Sequence, residues 1–150
     1  MSSNPLRQTW VLLTYKIPRE PSAPRVSVWR KLKRMGAILL HDAVWVLPAT
    51  PQTREHFQWL ASDIMEGRNE AMIWEAHLPL PGQDAALVQQ FLHQVDREYE
   101  AILTDLGGDE PDLSVLARRY QQAHSQDYFH SHRGQQVRQA LMEAPGGIDR

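Results

Sequence analysis

Four fixed positive charges, Arg30, Lys31, Lys33 and Arg34, fall inside the stretch WRKLKRM. Guanidinium and ammonium groups at this density can hold phosphate or another oxyanion. The default for a run of charges is a solvated helix face, so the decision rests on what the opposite side of that helix must do. Arg25, one turn before Trp29, is a separate candidate. Its planar fork matches a carboxylate or an anion, with Asp42 or an acid from the C-terminal half as protein partner. Seven histidines invite a metal reading. The best cluster lies in HSQDYFHSH, where His124, Asp127, His130 and His132 offer nitrogen and oxygen donors suited to Zn²⁺ or Ni²⁺. His124 and His130 are six residues apart, however, which is awkward for one helical face, and the spacing matches no metal motif. A polar junction between helices is the expectation there, with no metal and no cofactor.

Other chemistry has little to stand on. There is no cysteine, no G-x-S-x-G, no Walker A run and no G-x-G-x-x-G. Glu70 and Glu75 sit at odd spacing on a candidate strand, so they point to opposite faces and form no carboxylate pair. An enzyme is not expected.

The elements that must position the basic residues can be read from periodicity. Thr9 to Ile17 is β-rich and apolar on both faces. PREPSAP is a loop, because three prolines in seven residues suit neither a ladder nor a helix interior. A helix is predicted from near Ser22, with Pro24 in its first turn, to a stop at Gly36. At 100° per residue Val28, Trp29, Leu32 and Met35 share one arc, while Arg30, Lys31, Lys33 and Arg34 occupy the opposite one. Those four are therefore not core and face solvent or a partner. Arg25 projects onto the apolar arc and must snorkel or be held.

Ala37 to Leu40 and Val44 to Leu47 read as two strands joined by HDA. Thr50 is predicted to cap a second helix that starts at Pro51 and ends at Gly67, with Phe57, Leu60, Ala61 and Ile64 inward. NEAMIWEAHLPL is a further strand. Trp10, Trp45 and Trp74 lie on strands, where core or dimer interface is the simplest role. The order strand, helix, strand, strand, helix, strand is that of the ferredoxin-like fold. After LPLPGQ the composition turns helical, with one long amphipathic helix from Asp84 to Leu106, another from Pro111 to about His124 and a last from about Arg133 to Glu143. The fold class is α+β: a ferredoxin-like antiparallel sheet domain over residues 8–79 with an all-helical extension over 83–145, expected to form one compact unit.

Composition sets the outer limits. A chain of 150 residues can bury a core without disulfides. The absence of cysteine fits a reducing compartment, and no stretch reaches the ~18 apolar residues of a membrane span, so a cytoplasmic protein is expected. The net charge of −2 conceals +6 over residues 1–48 and −8 over 49–150. Such asymmetry marks an anion or nucleic-acid face, or two halves that attract each other.

With this order in place, WVLLTYKIP followed by APRVSVWRKLKRMGAILLHDAVWVLP resembles the N-terminal domain of ChrB, the bacterial chromate-resistance regulator. EAMIWEAHL, the long helix after it and the DYF of Asp127 to Phe129 resemble the rest of that domain. The pattern is more distantly similar to the middle domain of PaaX-type repressors and to the small CRISPR adaptation nucleases. The ChrB resemblance implies a regulatory protein, a homodimer, and contact with DNA or an oxyanion effector such as chromate through Arg25, Arg30, Lys31, Lys33 and Arg34. It also implies that Asp127 caps the last helix and that Phe129 packs on the preceding one. ChrB usually carries a second, C-terminal domain that this sequence does not include, so a subunit that works with a partner chain is an alternative. The nuclease resemblance implies a metal-binding Asp after the first-strand Tyr. Here the pair is Tyr15-Lys16, and a lysine brings the wrong charge to a Mg²⁺ site.

Overall fold

A computed structural model describes residues 7–42 and 44–146. The chain is α+β, with a four-stranded antiparallel sheet and five helices among the described residues. It divides between Asp84 and Ala85 into two compact units.

In the first unit the order is β1 (Trp10–Lys16), α1 (Ala23–Met35), β2 (Ile38–His41), β3 (Val44–Pro48), α2 (Pro51–Glu66) and β4 (Glu70–Ala76). The sheet runs β2-β3-β1-β4. Register sorts the side chains into two faces, because residues directly opposite across a ladder point the same way. Val11 lies across from Leu47 and Glu75, and Leu13 from Trp45 and Ile73. This is the face that α2 covers, since Arg54 of α2 reaches Glu75 with two hydrogen bonds of 2.9 and 3.1 Å. Its core is Val11, Leu13, Trp45 and Leu47, with Val28 and Leu32 of α1 and Phe57, Leu60, Ala61 and Ile64 of α2. On the opposite face Trp10, Val46 and Pro48 are buried, whereas Met72 and Trp74 on β4 are exposed. Trp74 is thus not a core residue, although Trp10 and Trp45 are. Its indole donates to Thr14 Oγ1 at 2.9 Å.

The helix ends follow local chemistry. Gly36 closes α1 at φ 80°, a left-handed conformation that glycine adopts without strain, and its N–H returns to the α1 carbonyls. Thr50 caps α2, accepting from the Thr53 N–H while the Thr53 hydroxyl oxygen accepts from the Thr50 N–H. The buried Thr53 hydroxyl also donates to the Pro48 carbonyl at 2.6 Å, which fixes the step from β3 into α2. The unit closes on Asp84, whose carboxylate accepts from the Trp10 indole at 2.9 Å and the Gln8 N–H at 3.2 Å.

The second unit is built from α3 (Gln83–Leu106), from Ala85 onward, with α4 (Leu113–Ser125) and α5 (His132–Glu143). Val95, Tyr99 and Ile102 of α3 pack with Leu116, Tyr120 and Ala123 of α4 and Val137 and Leu141 of α5. Gly134 lets α5 approach closely, because a β-carbon there would stand 2.8 Å from the Tyr99 ring. Among the described residues no helix is long and apolar enough to cross a membrane.

Candidate anion-binding surface

α1 starts at Ser22, whose side chain makes no capping bond, and carries Pro24 in its first turn. Val28 and Leu32 are buried and Met35 is half-buried, which fixes the inward side. The rest of the wheel follows at 100° per residue. Arg25, Trp29 and Lys33 are spaced i, i+4, i+8, so they line up along one flank, with Val26 and Arg30 beside them. Lys31 lies on the other flank and meets Asp63 of α2 at 3.4 Å.

The four basic residues off the apolar arc all face outward, but they are not equally engaged. Arg30, Lys31, Lys33 and Arg34 are all exposed, as is Arg25. Lys31 is engaged by an acid, and Arg34 makes an interaction of its own within the fold. Lys33 places its ammonium 6.0 Å from the centre of the Trp29 ring, within reach of a cation–π attraction. Arg25 and Arg30 have no ion pair among the described residues.

Trp29 is the residue that sequence reasoning misplaced. The helical period sets it inward with Val28 and Leu32, yet it is 50% exposed. Its position at the edge of the apolar arc, between Arg25 and Lys33, was the available signal. Together with Val26, Leu39, Tyr15 and Trp45 it lines a groove of about 310 Å³, to which Arg25, Ser22 and Asp42 also contribute. Sheet geometry brings three of these together: Leu39 of β2 and Trp45 of β3 are paired, and the Trp45 indole donates to the Tyr15 hydroxyl at 3.3 Å. Asp42 sits in the tight hairpin at φ 28°. Arg25 and Asp42 thus share one groove, as the sequence suggested, but without forming an ion pair within 4.0 Å. The groove combines flat apolar walls with an uncommitted guanidinium.

The histidine cluster does not converge. Asp127 is buried, and each of its oxygens accepts one hydrogen bond, from the Tyr99 hydroxyl and from the Ser131 N–H, both at 2.9 Å. His124 stacks on Tyr120 at 5.6 Å. His130 and His132 instead line a second groove of about 430 Å³ with His93, Asp96 and Arg133. No group of three or more potential ligands is assembled among the described residues. The N-cap of α5 is Ser131, not Asp127: its hydroxyl accepts from the Arg133 N–H and donates to Asp96. Asp127 acts one step earlier, holding the backbone of that cap. Phe129 packs on Phe91 of α3, with ring centres 5.9 Å apart.

Residues 25–114 match the family described as Protein ChrB, N-terminal. Over 119 residues the chain is 27% identical to a curated protein named Protein ChrB from Cupriavidus metallidurans, a match covering 74% of this chain and 36% of that relative. The chain thus spans about a third of the relative's length. No solved structure matches. The family match begins at Arg25 and takes in α1 from there onward, with its aromatic and basic flank, and it covers more than half of the chain. The chain belongs to the ChrB N-terminal family.

Proposed function

We propose that this chain is a cytoplasmic regulatory protein of the ChrB type, associated with chromate resistance, that holds nucleic acid against the exposed flank of α1. The observation that carries the reading is Trp29. A half-exposed indole between Arg25 and Lys33, with Arg30 alongside, joins a stacking surface to phosphate-binding charge, the combination that nucleic-acid surfaces use. Phosphate contacts of this kind position a protein without reading sequence, so base preference comes from other residues. The same groove offers Arg25 to a free oxyanion, the effector class that chromate represents. The sheet order β2-β3-β1-β4 within a strand-helix-strand-strand-helix-strand succession supports a ferredoxin-like reading of the first unit. The nuclease alternative is disfavoured by Lys16, which ends β1 across from Glu70 where a metal-binding acid would be needed.

The test is duplex-DNA binding as a function of salt. Each neutralised phosphate contributes a log–log slope of roughly −0.9, and about two to four contacts are expected per chain. Arg30→Glu with Lys33→Glu should abolish binding at low salt while leaving the circular-dichroism melt unchanged, because both side chains are exposed. Sodium chromate and sodium sulfate at equal ionic strength separate the oxyanion reading: selective displacement of DNA by chromate places the effector on the same flank. Undiminished binding by the double variant, or no binding by the parent at low salt, removes the nucleic-acid reading.

A further inference from the structure

The two edges of the sheet are built differently. β2 is four residues long, and its pairing with β3 is broken by a register shift between Leu39 and His41. Shortness and irregularity are how sheets deny an edge to other chains. β4 has neither protection. All seven of its residues keep unbroken register with β1, and it contains no Lys, Pro or Gly. Its outer side has no strand partner among the described residues. Met72 is 56% exposed, Trp74 47% and Ile73 37%, so apolar side chains stand open on both faces of this edge.

We propose that β4 is the seam of a symmetric dimer, in which the edge strand of one copy pairs antiparallel with the same strand of a second copy about a two-fold axis at Ile73. The strand is complementary to itself in that register. Ile73 lies across from its twin, Met72 across from the partner's Trp74 and Glu70 across from the partner's Ala76. Glu75 likewise faces the partner's Ala71. Apolar residues meet apolar residues, and each carboxylate meets an alanine. Moving the axis to Met72 sets Glu70 across from Trp74, and moving it to Trp74 sets Glu75 across from Ile73. The axis must lie on a residue, because paired side chains share a face. Arg54 holds Glu75 by two hydrogen bonds, so its charge is compensated at the seam, and Glu70 lies at the strand end across from Lys16 in the register. The isologous contact is thereby specified by one seven-residue segment. It is independent of what α1 binds.

The chain has no native cysteine, so a single introduced thiol reads the register directly. Opposed residues in antiparallel strands have α-carbons about 4.5–5.5 Å apart, inside the disulfide range. Under mild oxidation Ile73→Cys should give a covalent dimer of the full chain. Ala71→Cys, on the same face but four residues from its twin in this register, should not. Trp74→Glu should raise the dimer dissociation constant, measured by light scattering, roughly tenfold or more. A parent that stays monomeric at the highest soluble concentration overturns the proposal. So does equal cross-linking of the two cysteine variants, or a Trp74→Glu variant that dimerises as the parent does.

Discussion

Asp127 illustrates how much one side chain can organise. Its two carboxylate oxygens take a phenol from α3 and the N–H of the residue that caps α5. Asp127→Ala would strand two buried donors, and a loss of roughly 2–4 kcal/mol is expected in urea unfolding, against far less for the exposed His130→Ala. The sequence exposed the residue but not its role. Capping rules look a few positions ahead, and Tyr99 is 28 residues behind. Trp29 escaped for a related reason: a helical wheel ranks residues by angle, but the depth of the groove decides where the apolar arc ends. Asp42 is the other informative single residue. It adds a negative charge to the groove that holds Arg25. Asp42→Asn should therefore tighten DNA binding by about two- to fivefold at low salt, with the gain vanishing at high salt. An unchanged affinity at low salt would place the nucleic acid away from the hairpin.

Elements were the most legible level, because their signals are local. Gly36, Thr50, Pro51 and Gly67 mark helix ends where the sequence placed them, and the 3.6-residue period located the buried side of α2 and, apart from Trp29, that of α1. What a period cannot reveal is whether a strand lies inside a sheet or at its rim. β4 alternates as an inner strand would, and its exposure depends on which strand sits beside it. Two substitutions probe how elements join. Thr53→Ala removes the reciprocal cap and the buried bond to Pro48, so thermal unfolding should register a loss of about 1–2 kcal/mol. Gly134→Ala would ordinarily favour a helix, by up to about 1 kcal/mol. Here the new methyl would collide with the Tyr99 ring, and a net loss of about 1–3 kcal/mol is expected. A stabilised Gly134→Ala protein would show that α5 docks more loosely.

At the scale of the whole molecule, charge and alkaline sensitivity are unevenly distributed along the chain. Residues 1–48 carry the positive charge, five of their basic residues on α1, and the negative excess belongs to the remainder. At high pH the second unit is the vulnerable one. Burial pushes the Tyr128 phenol up to about 12, and burial together with the bond to Asp127 raises Tyr99 as well. Below pH ~10 neither folded nor unfolded phenols ionise, so this contribution to stability is complete. As pH climbs beyond that, the unfolded chain loses its phenolic protons first, and stability falls until the folded phenols ionise in turn. Melts between neutral and strongly alkaline pH should show this decline, and Tyr128→Phe should make it shallower. The five tryptophans carry a last consequence. Trp10 and Trp45 are sealed in the interior, whereas Trp29, Trp59 and Trp74 are each open to water on a different element. The molecule is therefore optically self-labelled. In single-tryptophan-to-phenylalanine variants, acrylamide quenching assigns each emitter to its surface. DNA should shield Trp29 alone, association should shield Trp74 alone, and Trp59 on α2 should stay open in both, an internal reference for every measurement.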